Sequence, residues 1–390
     1  MKRLAIITTH PIQYNAPLFK QLSEEAVSFT VKVFYTWSQS KEKIFDKEFG
    51  HNIQWDLPLL QGYDYCFVTN TSADPGSHHF KGIINPSLNK EIEEWNANAI
   101  LIYGWSFESH LKAIRYFHKK IPVLFRGDST LIDEPSGFSV KKLVRRLFLR
   151  WIYSHADFAL YVGSANKTYF LEHGLQPEQL LFAPHAIDNN RFSINEGDTE
   201  QRAKRWRKEL GIGDDICVFL FAGKLSKKKD PELLIKAFLA IGKPQIRLII
   251  IGNGELESEL KEKYSSFADI TFIDFQNQTV MPVVYGLAEI FVLPSKGLGE
   301  TWGLAVNEAM ACERAVIVSD KCGCSADLVV EGSNGYIFSA GDMEDLKRCM
   351  QQSLHNYKEL GRHSKQIIDN WTYSKTILQL EALFEKRLFK

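Results

Sequence analysis

The stretch Glu300-Thr-Trp-Gly-Leu-Ala-Val-Asn-Glu308-Ala-Met-Ala311 places two carboxylates around the start of a helix. The apolar run Ile290-Phe-Val-Leu-Pro294 before it reads as a buried strand. After Gly303, the apolar residues Leu304, Val306, Ala309 and Met310 recur at helical spacing. The order is therefore strand, loop, helix. A helix that begins near Gly303 leaves the N–H groups of about Trp302, Gly303 and Leu304 without internal acceptors and carries roughly +0.5 charge at that end. Such an end is suited to phosphate. Glu300 stands in the loop beside this anion site, and Glu308, one to two turns further on, is placed to accept hydrogen bonds from the hydroxyls of a ribose.

A second strand-loop-helix unit lies upstream. The strand-like Ile216-Cys-Val-Phe-Leu-Phe-Ala222 runs into Gly223-Lys224-Leu225-Ser226-Lys227-Lys228-Lys229-Asp230-Pro231, and a helix is expected from Pro231, since proline suits the first helical turn. In a partly closed site a lysine about 4 Å from a phosphate oxygen gains about 4 kcal/mol at an effective dielectric near 20, before desolvation is subtracted. Lys224 and Lys229 are read as the ligand-facing members of the run, and Lys227 and Lys228 as solvated.

Short β-branched runs alternate with helical patterns twice along the chain. Strands are expected at 4–8, 29–35, 99–103, 121–125 and 157–162, and again at 216–222, 246–251, 269–273, 289–294 and 314–318. This is an α/β pattern of parallel sheets covered by helices on both faces. The polar tract Asn195-Glu-Gly-Asp-Thr-Glu-Gln-Arg202 marks a boundary, and 371–390 reads as a final helix. Lys plus Arg and Asp plus Glu both total 47, so no global field recruits nucleic acid. The opening apolar run is too short for a secretory signal, and no stretch is long enough for a spanning helix. The six cysteines show no disulfide-framework spacing, which points to a cytoplasmic setting.

The Glu300…Glu308 pair and the lysine loop, with Ile249-Ile-Ile-Gly252-Asn-Gly254, Phe291-Val-Leu-Pro-Ser295, Val318-Ser-Asp320, Gly323, Asp327 and Asn334-Gly335, resemble family 4 of the retaining glycosyltransferases. The match is dense from about 216 to 340 and thin before that. The resemblance implies a GT-B fold: two Rossmann-like, doubly wound parallel-sheet domains facing a central cleft. These would be an acceptor-side domain at 1–192, a nucleotide-sugar domain at 193–368, and a helix at 369–390 returning to the first. It also implies transfer of a sugar from a UDP- or GDP-linked donor to a saccharide or lipid-linked hydroxyl, with retention. The proposed setting is bacterial surface polysaccharide or glycolipid synthesis. In the family's pattern Glu300 faces the donor sugar, Glu308 holds the ribose, and Gly223, Lys224 and Lys229 grip the diphosphate, with Lys in place of the family's Arg. The donor-binding set is then Gly223, Lys224, Lys229, Gln276, Trp302, Gly303, Leu304 and Glu308, with Gln276 in the base-contacting loop Asp274-Phe-Gln-Asn-Gln278. Where many relatives carry a sugar-contacting His, this chain has Gly127. Arg126 is therefore taken as a catalytic candidate beside Glu300, Lys229 and Lys224, with Asp128 and His110 as neighbours to consider.

No Asp-x-Asp pair occurs in the chain, and Cys322-Gly-Cys324 reads as ordinary buried thiols, so no metal site and no cofactor are expected. Gly252-Asn-Gly254 lacks the third glycine of a dinucleotide fingerprint, and the first turn, Thr8 to Asn15, has no glycine, which disfavours a nicotinamide dehydrogenase. The basic amphipathic segment 140–151 reads as a helix with a solvated face, or as a peripheral contact with anionic lipid at the inner face of a membrane. Two other classes share these features: a sugar-nucleotide epimerase on the same fold, and a non-catalytic sugar-nucleotide binding protein.

Overall fold

The computed structural model describes residues 1–37, 44–46, 51–53, 55–134, 137, 139–193, 198–297, 299–386 and 388. Residues 195–197 of the polar boundary tract, and 387, 389 and 390 of the final helical reading, lie outside the described residues. Contacts group the chain into two compact units, one of Met1–Lys43, Pro58–Pro184 and Tyr373–Lys390, the other of Ile44–Leu57 and His185–Thr372.

In the first unit the strands are β1 (Lys2–Thr8), β2 (Phe29–Tyr35), β3 (Asp64–Phe67), β4 (Ala99–Tyr103), β5 (Val123–Arg126), β6 (Phe158–Tyr161) and β7 (Leu180–Phe182). They form one parallel sheet in the order β3-β2-β1-β4-β5-β6-β7. Ile7, Ile100, Ile102, Val123 and Phe125 are buried on the sheet against Ile114, Phe117, Ile152 and Phe170 of covering helices. The helix Tyr373–Lys386 belongs to this unit. Its Glu381 accepts hydrogen bonds from the N–H groups of Val27 and Ser28, and Phe384 packs on Phe29 with ring centroids 4.3 Å apart.

In the second unit the strands of the main sheet are β8 (Cys217–Ala222), β9 (Ile246–Ile251), β10 (Ile270–Ile273), β11 (Ile290–Leu293), β12 (Ala315–Ser319) and β13 (Gly335–Phe338). They too are all parallel, in the order β10-β9-β8-β11-β12-β13. A small antiparallel hairpin, Ile44–Asp46 with His51–Ile53, also falls in this unit. Numbered within the unit, the strand order is that of the doubly wound nucleotide-binding fold, and chain direction reverses between β8 and β11. Loops leaving the carboxyl ends of adjacent strands at such a reversal diverge and leave a crevice for ligands. The lysine run follows β8 and the Glu300 loop follows β11, so both sequence motifs flank that point.

Most strands lie where the apolar runs put them, and 99–103 and 246–251 agree at both ends. The sequence reading missed β3, β7 and β13, each the outermost strand of its sheet. These segments are short and only partly covered: β3 is Asp-Tyr-Cys-Phe with no residue fully buried, β7 is the three-residue Leu-Leu-Phe with only Leu181 buried, and β13 is Gly-Tyr-Ile-Phe with Tyr336 and Ile337 half-buried. The helix Leu88–Glu94 was also missed, since within it only Leu88 and Ile92 are buried.

Backbone packs directly on backbone at several glycines in the second unit, two of which lie against the site loops. A Cβ on Gly252 would lie 2.0 Å from the carbonyl oxygen of Gly223, and one on Gly323 would lie 1.7 Å from that of Thr301. The lysine loop and the Glu300 loop are thus each seated against a glycine of a neighbouring strand's loop. Gly323→Ala is expected to lower the stability of the second unit by about 1–3 kcal/mol, the usual range for overpacking. Chemical denaturation followed by tryptophan fluorescence measures it, and a change within error of zero would show that the Thr301 backbone is free to yield.

Candidate donor-binding site

The Glu300 loop is tied to its surroundings on three sides. Gly323 donates its N–H to the Glu300 carbonyl at 3.0 Å, Cys324 donates to the Trp302 carbonyl at 3.0 Å, and the Lys228 ammonium donates to the Gly299 carbonyl at 2.9 Å. Lys228 was read from sequence as solvated. The structure corrects this: its side chain bridges the two loops.

Glu300 is 8% exposed, and its Oε2 takes the Lys229 ammonium at 2.5 Å and the Ser295 hydroxyl at 3.0 Å. The Ser295 carbonyl in turn accepts from the Ser319 hydroxyl at 2.5 Å, which anchors the arrangement to the end of β12. Gly303 stands in the left-handed region at φ +98°, immediately before the helix Leu304–Ala311. The position a Cβ would take on Gly303 lies 3.8 Å from Glu300 Oε1. An ammonium, a carboxylate and a helix start with unsatisfied N–H groups therefore share one small region. Cys322 and Cys324 are buried free thiols behind it. Burial pushes the Cys322 thiol up to about 12, with the Glu300 charge adding to the effect, and burial holds Cys324 well above the usual thiol range.

Glu308 is 2% exposed and accepts the Tyr285 hydroxyl at Oε2, 2.7 Å away. The neighbouring Asn307 is fully buried. Its Oδ1 accepts the Trp302 indole N–H at 2.8 Å and its Nδ2 donates to the His185 carbonyl at 2.9 Å. The indole, 3% exposed, is wedged near the His185 and Trp371 rings, with centroids 5.8 and 5.3 Å away. What the Trp302 side chain adds to the loop is thus packing and one buried hydrogen bond.

Lys224 and Lys229 are both half-buried in the β8 loop, whereas Lys227 is exposed. That loop ends on Asp230, left-handed at φ 50°, whose carboxylate meets the Lys296 ammonium at 3.0 Å before the helix Pro231–Ile241 begins. Gln276 donates to the Asp274 carbonyl at 3.1 Å within the loop after β10. This loop is held by Asn253, whose Oδ1 accepts the Phe275 N–H at 2.7 Å and whose Nδ2 donates to Glu257 at 2.9 Å. The Asn253 carbonyl also accepts from Leu225 N–H at 2.9 Å. One residue thereby fastens the lysine loop and the Gln276 loop together. The sequence reading quotes Gly252-Asn-Gly254 within the family resemblance and as a partial dinucleotide fingerprint, and gives the asparagine no role of its own. Tyr285 was missed as well, and Ser295, quoted in the Phe291–Ser295 match, was given no role, since sequence does not show which carboxylate a hydroxyl will meet.

Arg126 lies in the first unit at the end of β5. It is 6% exposed, donates to the carbonyls of Ala183 and Pro184 at 3.0 and 3.4 Å, and sits over the Tyr103 ring. Its guanidinium is engaged in joining β5 to the segment after β7. His110, fully buried, has Nε2 3.0 Å from the Thr36 hydroxyl and Nδ1 3.1 Å from the Tyr103 and Gly104 carbonyls. Burial lowers its pKa to about 4, so it is neutral near pH 7.

Residues 202–370 match the family model of glycosyl transferases group 1. The chain is 30% identical over 211 residues to spore coat protein SA of Bacillus subtilis, covering 49% of this chain and 54% of that protein. It is 32% identical over 193 residues to lipopolysaccharide 1,2-N-acetylglucosaminetransferase of Salmonella typhimurium, covering 46% of this chain and 48% of that protein. The chain thus spans about half the length of these curated relatives. A crystal structure of Anabaena HepE in complex with UDP and glucose superimposes with a TM-score of 0.70 at 16% identity, over 99% of this chain and 100% of that one. That likeness shows the fold the sequence led us to expect, GT-B with its two Rossmann-like units.

Asn253→Ala is expected to destabilise the second unit by about 1 kcal/mol, because it strips the half-buried Phe275 N–H of its acceptor. Urea denaturation measures the loss, and wild-type stability in the variant would mean that the two loops are held by other contacts.

Proposed function

We propose that the second unit binds a nucleoside diphosphate sugar and that the protein transfers the sugar to an acceptor hydroxyl. The observation that carries this reading is the meeting of Lys229, Glu300 and the start of the helix Leu304–Ala311 at the strand-order reversal. The Lys229 and Lys224 ammoniums and the first helix N–H groups stabilise the diphosphate, and do so more strongly as it departs and its charge grows. Glu300, steadied by Ser295, orients the sugar. Glu308 accepts the ribose hydroxyls, and because it is 2% exposed, donor entry displaces the side chains that cover it. The bond from the anomeric carbon to the phosphate breaks, the bond to the acceptor oxygen forms, and the acceptor's proton passes to the leaving phosphate.

Retention at the anomeric carbon follows the family resemblance, and so does a role in surface polysaccharide or glycolipid synthesis. Independence from a metal at the donor site is read from a sequence without an Asp-x-Asp pair. UDP is the first nucleotide to try, because the structurally similar Anabaena HepE is described with UDP bound. Lys229→Ala is expected to lower turnover by about 10² to 10³ while the fold persists, the usual loss for one preorganised charge-stabilising donor. Product analysis by NMR under a panel of UDP- and GDP-sugars and acceptors provides the readout. Near-normal turnover in the variant would remove the lysine loop from the mechanism, and an altered sugar released without an acceptor would indicate an epimerase instead.

The acceptor is proposed to be lipid-linked and met at an anionic membrane surface. No helix among the described residues is long and apolar enough to cross a membrane. The helix Val140–Tyr153, however, is apolar on two faces. Leu149, Ile152 and Tyr153 face the core, while Val140, Leu143, Val144, Leu147, Phe148 and Trp151 are 41–68% exposed along a stripe of helical period. A solvated face does not carry such a stripe. Lys141 and Arg145 flank it in the open, whereas Lys142 and Arg146 are turned to Glu134 at 3.1 and 3.6 Å. Leu147→Glu is expected to abolish co-sedimentation with anionic vesicles and Lys142→Ala to leave it nearly unchanged. Equal sedimentation with neutral and anionic vesicles, or by Leu147→Glu and wild type, would overturn the membrane contact.

A further inference from the structure

A third cluster, remote in sequence from every motif above, lies in the loop between β3 and the helix Leu88–Glu94. Asp74 Oδ2 is 3.2 Å from His78 Nε2 and 3.2 Å from His79 Nε2, and the three donor atoms all lie within 4.8 Å of one another. Both imidazoles turn the same ring nitrogen to one carboxylate oxygen, and His79 Nε2 is also 3.0 Å from the Asp74 carbonyl. As a surface ion pair this trio contributes little, since Asp74 is 73% and His78 59% exposed. As a ligand set its spacing is informative. Zinc bonds of about 2.0–2.1 Å to nitrogen and oxygen in a tetrahedron put neighbouring donors about 3.3 Å apart, close to the two Asp74–His separations, with the two imidazole nitrogens within 4.8 Å of each other.

The loop is also built before any ion arrives. Asn70 donates its Nδ2 to the Gly82 carbonyl at 2.9 Å, and its Oδ1 accepts from Ser72 and Ile84 N–H at 3.1 and 2.9 Å. The Ser72 hydroxyl donates to the Lys81 carbonyl at 2.6 Å, and Gly76 N–H donates to the Gly82 carbonyl at 3.1 Å. The His78 ring lies over Gly76, where a Cβ would sit 2.4 Å from His78 Nδ1. These contacts hold both histidines on the side of the loop where Asp74 stands.

We propose that Asp74, His78 and His79 bind a divalent transition-metal ion of the zinc class, through one oxygen and two nitrogens, with the remaining position open to water. The nitrogen content selects zinc, copper or nickel over magnesium and calcium, which take oxygen ligands. The ion clips the loop of residues 70–84, and the proposal is independent of the donor site. The sequence reading sought paired cysteines and Asp-x-Asp and so passed over Asp-x-x-x-His-His.

Untagged full-length protein is titrated with zinc by calorimetry and with cobalt(II) by absorption near neutral pH. One equivalent is expected to bind, with the visible band of four-coordinate cobalt(II). His78→Ala and His79→Ala are each expected to weaken affinity at least about tenfold, and the double variant to lose the band. Thermal unfolding without metal is expected to match wild type in His78→Ala, whose side chain is exposed, and to fall only slightly in His79→Ala, whose ring is half-buried. No uptake by wild type at millimolar metal, or undiminished stoichiometry and affinity in the double variant, overturns the proposal.

Discussion

The contact between the Lys229 ammonium and the Glu300 carboxylate joins the ends of β8 and β11. Those loops meet because the strand order of the second sheet makes the two strands neighbours and sends the chain in opposite directions from them. With Glu300 8% and Lys229 20% exposed, each charge relies on the other to offset lost solvation. Removing a partner from such a pair leaves the survivor's charge without its counter-charge. The Ser295 hydroxyl and the Ser319 bond behind it limit how far the carboxylate can swing. An anion entering beside Lys229 meets a cation whose position is already set, which is what electrostatic stabilisation of a leaving group requires.

How much of this was legible in the sequence depends on burial. Central strands such as β9, whose residues are nearly all buried, declare themselves as apolar runs, and both strand-loop-helix motifs could be placed from them. Edge strands β3, β7 and β13 were not legible, because three or four partly covered residues make too short a run to stand out. Within the site, charged residues stood out by type and spacing. The side chains that hold them did not: Ser295, Tyr285 and Asn253 are common residues whose roles arise from long-range contacts. Lys228 was misread for the same reason, since its acceptor, the Gly299 carbonyl, belongs to a loop far along the chain.

The first unit shows a different balance between sequence signal and structural use. Arg126 and His110 attract attention as chemistry-bearing residues, yet both are buried and meet backbone carbonyls. The helix Val140–Tyr153, by contrast, looked like an ordinary surface helix with a basic face. Its second apolar stripe becomes visible only once the core-facing residues Leu149, Ile152 and Tyr153 are known and subtracted.

Asn253 touches three segments at once, through its carbonyl, its amide oxygen and its amide nitrogen. On the proposed reading, the stretch that meets the nucleobase and the stretch that meets the phosphates are mechanically linked through it. A poorly fitting base would then nudge the catalytic cation out of line. Discrimination among nucleotides would register in how fast the sugar leaves, and not only in how tightly its carrier is held.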